Sequence, residues 1–350
     1  MARILVFRIG SIGDFLISLP CLHLLRKTYP NDEVALLVNE PVTDREVPAE
    51  GVLKGSGLVD QFIKYPIGIR NPRRLNELKT IIQRFAPNTL VYLAPSRRFG
   101  SNMRDYVFFR WGCGIPRIVG LPLNPMFMEP RRPATGHILW ESEAVRLGRQ
   151  IASIGGIDFT LRENWGLNLS AAEIAEANHI LDSRVYCNGQ ASRRLVGLSI
   201  GTKQNINDWG DDNWETVLRA VGKLQLGTLV LLGATHDRER SEKLAQAWPG
   251  AAVNLCGMIA PRISAAVLRR IDLLLCHDSG PMHLAAAAGT RCVAVFSRRN
   301  PPGRWFPFGN GHRILYPSSK TGTIRSIPPR QVIAAAVRSL EHGAANRVAA

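Results

Sequence analysis

Two short polar segments, one near each end of the chain, hold the residues whose types and spacing suit chemistry. In the run Leu273 to Phe296 an apolar strand pattern ends in Asp278-Ser279-Gly280-Pro281-Met282-His283, passes into an Ala-rich helix and resumes as a second strand. A parallel strand that turns straight into a helix through Asp-Ser-Gly aims free backbone N–H groups and a positive helix end at one spot, which suits a phosphate or diphosphate. His283 falls in the first turn of that helix, within reach of the same anion. Asp and Ser are also ordinary N-caps, and a His at a helix start is often just packed, so the segment needs support from elsewhere.

That support comes from Arg8-Ile9-Gly10-Ser11-Ile12-Gly13-Asp14, directly after the first strand, where an open α/β sheet places its binding crevice. A dinucleotide fingerprint needs three spaced glycines and this loop has two, so a nicotinamide-dependent oxidoreductase is disfavoured, although Glu40 stands about where a ribose-binding acid would. Asp14 has a sharper use as a general base that takes a proton from an attacking hydroxyl. In the second half, Gly201-Thr202-Lys203 follows a strand and is followed by Asn207-Asp208-Trp209 and Trp214, while His236-Asp237-Arg238-Glu239 follows the next strand. Lys203 can neutralise a leaving diphosphate as a point charge, and Asp237 or Glu239 can accept from ribose hydroxyls. Asp237 and Glu239 also read as a cap and a surface acid, and their placement after successive strands is what matters.

The elements around these loops alternate between strand and helix periods. Ile4–Phe7, Val34–Val38, Gln61–Lys64 and Thr89–Leu93 read as strands, with helices over Phe15–Lys27 and Arg74–Phe85. Pro20 should kink the first helix or delay its start. From Ser96 to Pro133 the pattern gives way to Arg, Gly and Pro, which predicts irregular loops around a cleft. Trp140–Ser153 reads as a helix and Ser170-Ala-Ala-Glu173 as a capping box opening another. A second alternating series runs from Leu195–Ile200 to a final helix at Pro329–Leu340. Two such series predict an α/β protein with two doubly wound sheets facing each other.

The 350 residues suit two domains, and the net charge of +16 implies an anionic partner. A phosphorylated substrate, an acidic membrane surface and nucleic acid all fit that charge, and nucleic acid is the weakest because no recognition motif appears. The six cysteines show no ligand spacing and read as reduced core residues, so no metal is expected. The absence of a long apolar stretch or a leader before the first strand predicts a cytoplasmic protein.

Taken together, Arg8-x-Gly-x-x-Gly13-Asp14 with Pro20, Gly201-Thr-Lys203 with Trp209 and Trp214, and Asp278-Ser-Gly-Pro-Met-His283 through Phe296 resemble glycosyltransferase family 9, the ADP-heptose:lipopolysaccharide heptosyltransferases. The resemblance runs over nearly the whole chain. It implies a GT-B fold, with an acceptor domain over 1–168, a nucleotide-sugar domain over 169–328 and a last helix at 329–342 returning to the first domain. It further implies inverting, metal-independent transfer without a cofactor from a nucleotide-sugar, ADP-linked by family, to a glycan or glycolipid acceptor, with no nucleic-acid partner.

Asp14 matches the family's base. Lys203, Asp237, Glu239, Asp278, Ser279, Gly280, Pro281, Met282 and His283 are expected to hold the donor, and Arg8, Ser11, Gly13, Arg97 and Arg98 the acceptor. Peripheral contact with the cytoplasmic face of an acidic inner membrane would suit the basic loops. Where members carry Lys-Arg before the tryptophan, this chain has Asn207-Asp208, so either Lys203, or Arg298 and Arg299, supply the missing charge or the donor differs. A transferase of the same fold using another nucleotide-sugar donor and a non-catalytic binding protein are the remaining alternatives, and the carboxylate of Asp14 argues against the second.

Overall fold

A computed structural model describes residues 2–40, 47–66, 71–94, 99–121, 129–135, 138–185, 194–224, 227–319 and 321–348, with side chains described as far as Glu341. The chain divides into two compact units, Met1–Asn168 and Leu169–Ala350.

The first unit holds β1 (Arg3–Phe7), α1 (Ile12–Ile17), α2 (Leu19–Thr28), β2 (Glu33–Asn39), α3 (Glu50–Leu53), β3 (Gln61–Tyr65), α4 (Pro72–Phe85), β4 (Thr89–Tyr92), α5 (Phe99–Val107), β5 (Arg117–Val119) and α6 (Glu143–Gln150). Its strands form one parallel sheet in the order β3-β2-β1-β4-β5. Such strands are covered on both faces, which is why β1, β2 and β4 read as nearly unbroken apolar runs. Phe7 lies opposite Leu37 of β2 and Tyr92 of β4. The chain leaves β1 toward β2 and later returns to its other side as β4, so the sheet reverses direction beside β1 and leaves a crevice over the carboxyl ends of β1 and β4.

The second unit repeats this plan with α7 (Ala171–Val185), β6 (Leu195–Ser199), α8 (Asp211–Lys223), β7 (Thr228–Leu231), α9 (Arg238–Ala245), β8 (Ala252–Asn254), α10 (Pro261–Leu268), β9 (Leu273–His277), α11 (Gly280–Ala288), β10 (Cys292–Val295), β11 (Arg313–Leu315) and α12 (Pro329–Val348). The parallel order β11-β10-β9-β6-β7-β8 reverses beside β6, so its crevice lies over the carboxyl ends of β6 and β9.

Pro20 acts as its sequence position predicts. The first helix stops at Ile17, Ser18 turns, and α2 restarts with Pro20 in its first turn, where a missing N–H costs nothing. The capping box at Ser170 forms, with Ser170 N–H donating to Glu173 and Glu173 N–H to Ser170 Oγ.

One expectation is corrected. The stretch 96–133 is not all loop, because Phe99–Gly112 is helical with a wide-turned end and Arg117–Val119 adds an edge strand. The last helix buries Val332, Ala335, Ala336 and Leu340 in the core of the second unit, against Trp209, Trp214 and Val293. Cys21, Cys113, Cys256, Cys276 and Cys292 are buried free thiols, and Cys187 lies outside the described residues. Among the described residues no helix is long and apolar enough to cross a membrane, and no three metal-ligating side chains come together.

The place of α12 is testable by truncating its last core residue. Leu340→Ala should destabilise the second unit by about 3 kcal/mol in chemical denaturation. A change within about 0.5 kcal/mol, the range of surface substitutions, would take the helix out of that core.

Candidate functional site

In the first unit the site is built on a buried arginine. Arg8 follows β1, and none of its side chain is exposed. Its Nε and Nη2 donate to the carbonyl of Asp14 at 3.1 and 3.0 Å, its Nη1 to the carbonyl of Leu93 at 2.8 Å, and its Nη2 to Asp14 Oδ1 at 3.3 Å. One guanidinium thus bends the loop back on itself and ties it to the end of β4. The other carboxylate oxygen, Oδ2, accepts from Ser11 N–H at 2.7 Å and Ser11 Oγ at 3.1 Å. Asp14 remains about a fifth exposed at the crevice, with both oxygens held.

Gly10 makes this approach feasible. Its φ of +143° disfavours any side chain, and a Cβ there would lie 2.4 Å from the Asp14 carboxyl carbon. Its N–H donates to the buried Asn39 side chain at the end of β2.

Behind Arg8 stands a charge pair that the sequence did not single out. Glu143 and Arg146 on α6 are both fully buried and joined by two hydrogen bonds of 2.9 and 2.7 Å. Glu143 Oε1 also lies 4.0 Å from Arg8 Nη1, and Arg146 donates to the carbonyl of Ala94. Two arginines and two acids therefore balance beside the crevice, and both arginines grip the end of β4. The helical spacing of Glu143 and Arg146 was the available signal, but it also fits an ordinary surface ion pair.

Arg8 was expected to meet an acceptor. It cannot, because its guanidinium is buried and occupied within the loop. Gly13 is likewise buried, Ser11 stays at the crevice, and Arg97 and Arg98 lie outside the described residues.

In the second unit Asp278 directly follows β9, and α11 starts at Gly280 with Ser279 as its N-cap. Among the described residues the N–H groups of Ser279 and Gly280 have no protein acceptor, and Pro281 has no N–H to offer. This is the free helix end that the sequence predicts for an anion. Burial pushes the Asp278 carboxyl up to about 6, against a hydrogen bond from Asn300 and the charge of Arg299.

His283 is 7 % exposed, and burial, with the charge of His312, holds it down to about 4. It is a neutral imidazole beside Trp305, able to offer one hydrogen bond but no positive charge near neutral pH. Met282 was expected to touch the donor, but its side chain is wholly enclosed in the core.

His277, the last residue of β9, went unrecognised within its apolar run. It is fully buried, its Nδ1 lies 3.1 Å from the carbonyl of Ile200, and its Nε2 accepts from Trp209 N–H and Trp214 Nε1 at 3.1 and 3.3 Å. Those contacts fix it as the Nδ1–H tautomer, and burial holds its pKa down to about 4. The two tryptophans thus lock the segment carrying Lys203 onto the end of β9. Lys203 itself is exposed beside the crevice strand. Asn207 accepts from Ser297 Oγ, while Asp208 is held by Arg240, which keeps it ionised below its usual range against its burial.

Asp237 sits over the ends of β6 and β7, so close that a Cβ on Gly201 or Gly233 would come within 2.7 or 2.8 Å of its Oδ2. That oxygen also accepts from Ala234 N–H. Glu239 is not brought to the crevice strands: it is an exposed residue of α9 paired with Lys243. Arg298 is taken up by the carbonyls of Pro317 and Ser318. A cavity of about 380 Å³ lies at the amino ends of β1, β2 and β3, lined by Arg3, Glu33 and Gln61, and is the wrong end of the sheet for this chemistry.

The sequence profile of glycosyltransferase family 9 (heptosyltransferase) matches residues 135–323. Lipopolysaccharide heptosyltransferase 1 of Salmonella typhimurium is 23 % identical over 316 residues, covering 85 % of this chain and 89 % of that protein. A glycosyl transferase family 9 structure from Veillonella parvula superposes with a TM-score of 0.72 at 19 % identity, covering 97 % of this chain and 98 % of that one. The Escherichia coli heptosyltransferase WaaC with ADP gives 0.66 at 15 % identity, covering 96 % and 99 %. These superpositions agree with a GT-B arrangement of two parallel-sheet domains.

Two outcomes follow from the buried groups. Glu143→Gln leaves Arg8 and Arg146 short of counter-charge and should destabilise the first unit by about 3 kcal/mol in urea denaturation. A neutral result would mean that the pair does not bear on the fold.

The second outcome concerns pH. His277 and His283 sit near 4 when folded against an ordinary 6.5, so the stability they confer is complete above 6.5 and lost as pH falls through about 4. Asp278 acts oppositely, its contribution present below 3.8 and lost as pH rises through about 6, and one acid only partly offsets two histidines. The second unit should therefore weaken between pH 6.5 and 4, read by fluorescence of Trp209 and Trp214. A flat profile would sink the assignment of two neutral histidines.

Proposed function

The chain belongs to glycosyltransferase family 9, whose profile spans more than half of it, and we propose that it transfers a heptose from ADP-heptose to a hydroxyl of a lipopolysaccharide-type acceptor, with inversion and without a metal. The observation that carries this reading is the pairing of two differently equipped switch points: a doubly held carboxylate at one and unpaired helix N–H groups at the other.

In this reading the acceptor hydroxyl approaches Asp14, whose carboxylate takes its proton as the oxygen attacks the anomeric carbon. The C–O bond to the diphosphate breaks from the opposite face through an oxocarbenium-like state. The departing oxygens gain charge as they leave, and in this reading the Ser279 and Gly280 N–H groups with Lys203 receive it. Asp278 can only accept hydrogen bonds when ionised, so it suits a sugar hydroxyl better than a phosphate. Asp237 takes a ribose hydroxyl on the oxygen not used by Ala234, and His283 donates one neutral hydrogen bond. Names of relatives support the sugar and nucleotide: one is a lipopolysaccharide heptosyltransferase, and a structural neighbour was solved with ADP. We further propose that the enzyme works in the cytoplasm, at the surface of the membrane that carries its acceptor.

Asp14→Asn should cut transfer roughly a hundredfold to ten-thousandfold, the range of general base catalysis, with ADP affinity unchanged. Lys203→Ala should weaken ADP about tenfold, as expected for one charge-assisted hydrogen bond. Wild-type turnover in the first variant would remove the base. Thermal stabilisation by UDP or GDP in preference to ADP would overturn the donor.

A further inference from the structure

Helix α5 and the turn after it carry an apolar stripe facing solvent that the catalytic reading leaves unused. Phe99, Met103, Val107 and Trp111 recur every fourth residue, so they line one side. Trp111 is 70 % exposed, Phe99 51 % and Val107 40 %. The other side is already committed, with Asn102, Asp105 and Phe109 buried. The wider turn over Phe108–Gly112, closed by Cys113 N–H on the carbonyl of Phe108, keeps Trp111 facing out. Apolar residues thus stand on both sides of one helix, and only the inner set is covered.

The charges around the stripe have one sign. Arg110 adjoins it, and the single acid of the segment, Asp105, is turned inward, accepting from Tyr92 Oη on one oxygen and from the exposed Arg104 guanidinium on the other. Next to its end lies α4, joined through Gln83 Nε2 and the carbonyl of Gly112, which exposes Arg73, Arg74 and Arg84 against Glu77.

We propose that this face docks on an anionic lipid bilayer, with Trp111 at the headgroup level, Phe99, Met103 and Val107 against the acyl boundary and the arginines on lipid phosphates. An amphipathic ring fits that boundary, and a cationic rim beside an apolar strip marks a helix that lies in the interface. The placement also has a use that rests on the proposed function. α5 follows the end of β4, whose Leu93 and Ala94 carbonyls take the arginines behind Asp14, so docking would hold that crevice next to a lipid-borne acceptor.

The test is co-sedimentation of the whole protein with vesicles of phosphatidylethanolamine and phosphatidylglycerol, and with phosphatidylcholine vesicles alone. The wild type should bind the anionic vesicles, more weakly in salt. Trp111→Ser should lower binding roughly tenfold from the lost apolar area, and Val107→Asp at least as much. Leu161→Ser, an exposed apolar residue outside the stripe, should change nothing. Each variant should keep its Tm.

Equal binding by all four proteins, or no binding by the wild type, would overturn the proposal. So would a concentration-dependent dimer abolished by Trp111→Ser, which would give the stripe to a second copy. The vesicle assay needs no turnover, so failure of the transferase reading would show separately, as absent transfer to a soluble acceptor.

Discussion

Where a parallel sheet sends its chain to opposite sides of one strand, the loops above that strand part and leave a crevice over the carboxyl ends. The residues proposed for chemistry lie at two such reversals, beside β1 and beside β6. The strand order decides which loops can converge. Residues 8–14 meet the chain beyond β4 because β1 and β4 are neighbours, and residues 200–209 meet His277 because β6 and β9 are. The two crevices then diverge in chemistry. The first is filled with paired charge and leaves a carboxylate at its rim, whereas the second leaves backbone donors unpaired.

Burying charge beside the first crevice is expensive unless every group is partnered, and here the partners are also the geometry. Arg8 spends its donors on the Asp14 loop and the end of β4, and Glu143 with Arg146 supplies a second grip on the same strand end. A rigid carboxylate follows: neither oxygen of Asp14 can turn without breaking a bond to Arg8 or Ser11. In the second unit His277 does comparable work without charge. Its lone acceptor nitrogen gathers two N–H groups, one from a tryptophan side chain and one from the backbone where the loop enters α8.

Much of this was legible in the sequence, and the limits have physical causes. Parallel strands buried on both faces announce themselves as apolar runs, and Pro20 and the Ser170 box act through local backbone chemistry, so these readings held. The short edge strands Ala252–Asn254 and Arg313–Leu315, and α5 with its exposed stripe, lack a one-sided pattern and were missed. Side-chain direction was the larger gap. Arg8 looked like a ligand residue because it sits in the right loop, and only the packing of α6 shows that it faces inward. Met282 and Glu239 went astray for the same reason: a motif gives a position along the chain, while burial depends on what the rest of the fold brings to it. Glu143, Arg146 and His277 are the converse, structural partners whose significance appears only once distant segments meet.

The net charge of +16 shows why composition alone misplaces function. Arg8 and Arg146 are consumed in the first core, Arg262 by Glu173, Arg240 by Asp208 and Asp211, and Arg298 by backbone carbonyls. An arginine held in this way sets the position of a loop and contributes little to the field met by an approaching anion, since its charge is offset within hydrogen-bond distance. What remains exposed includes Arg73, Arg74 and Arg84 on α4. Those residues lie on the first unit, while the unpaired N–H groups of Ser279 and Gly280 lie on the second. The basic character of the chain therefore divides into an internal share that shapes the Asp14 loop and an exposed share on α4, and the free N–H groups at the start of α11 depend on neither.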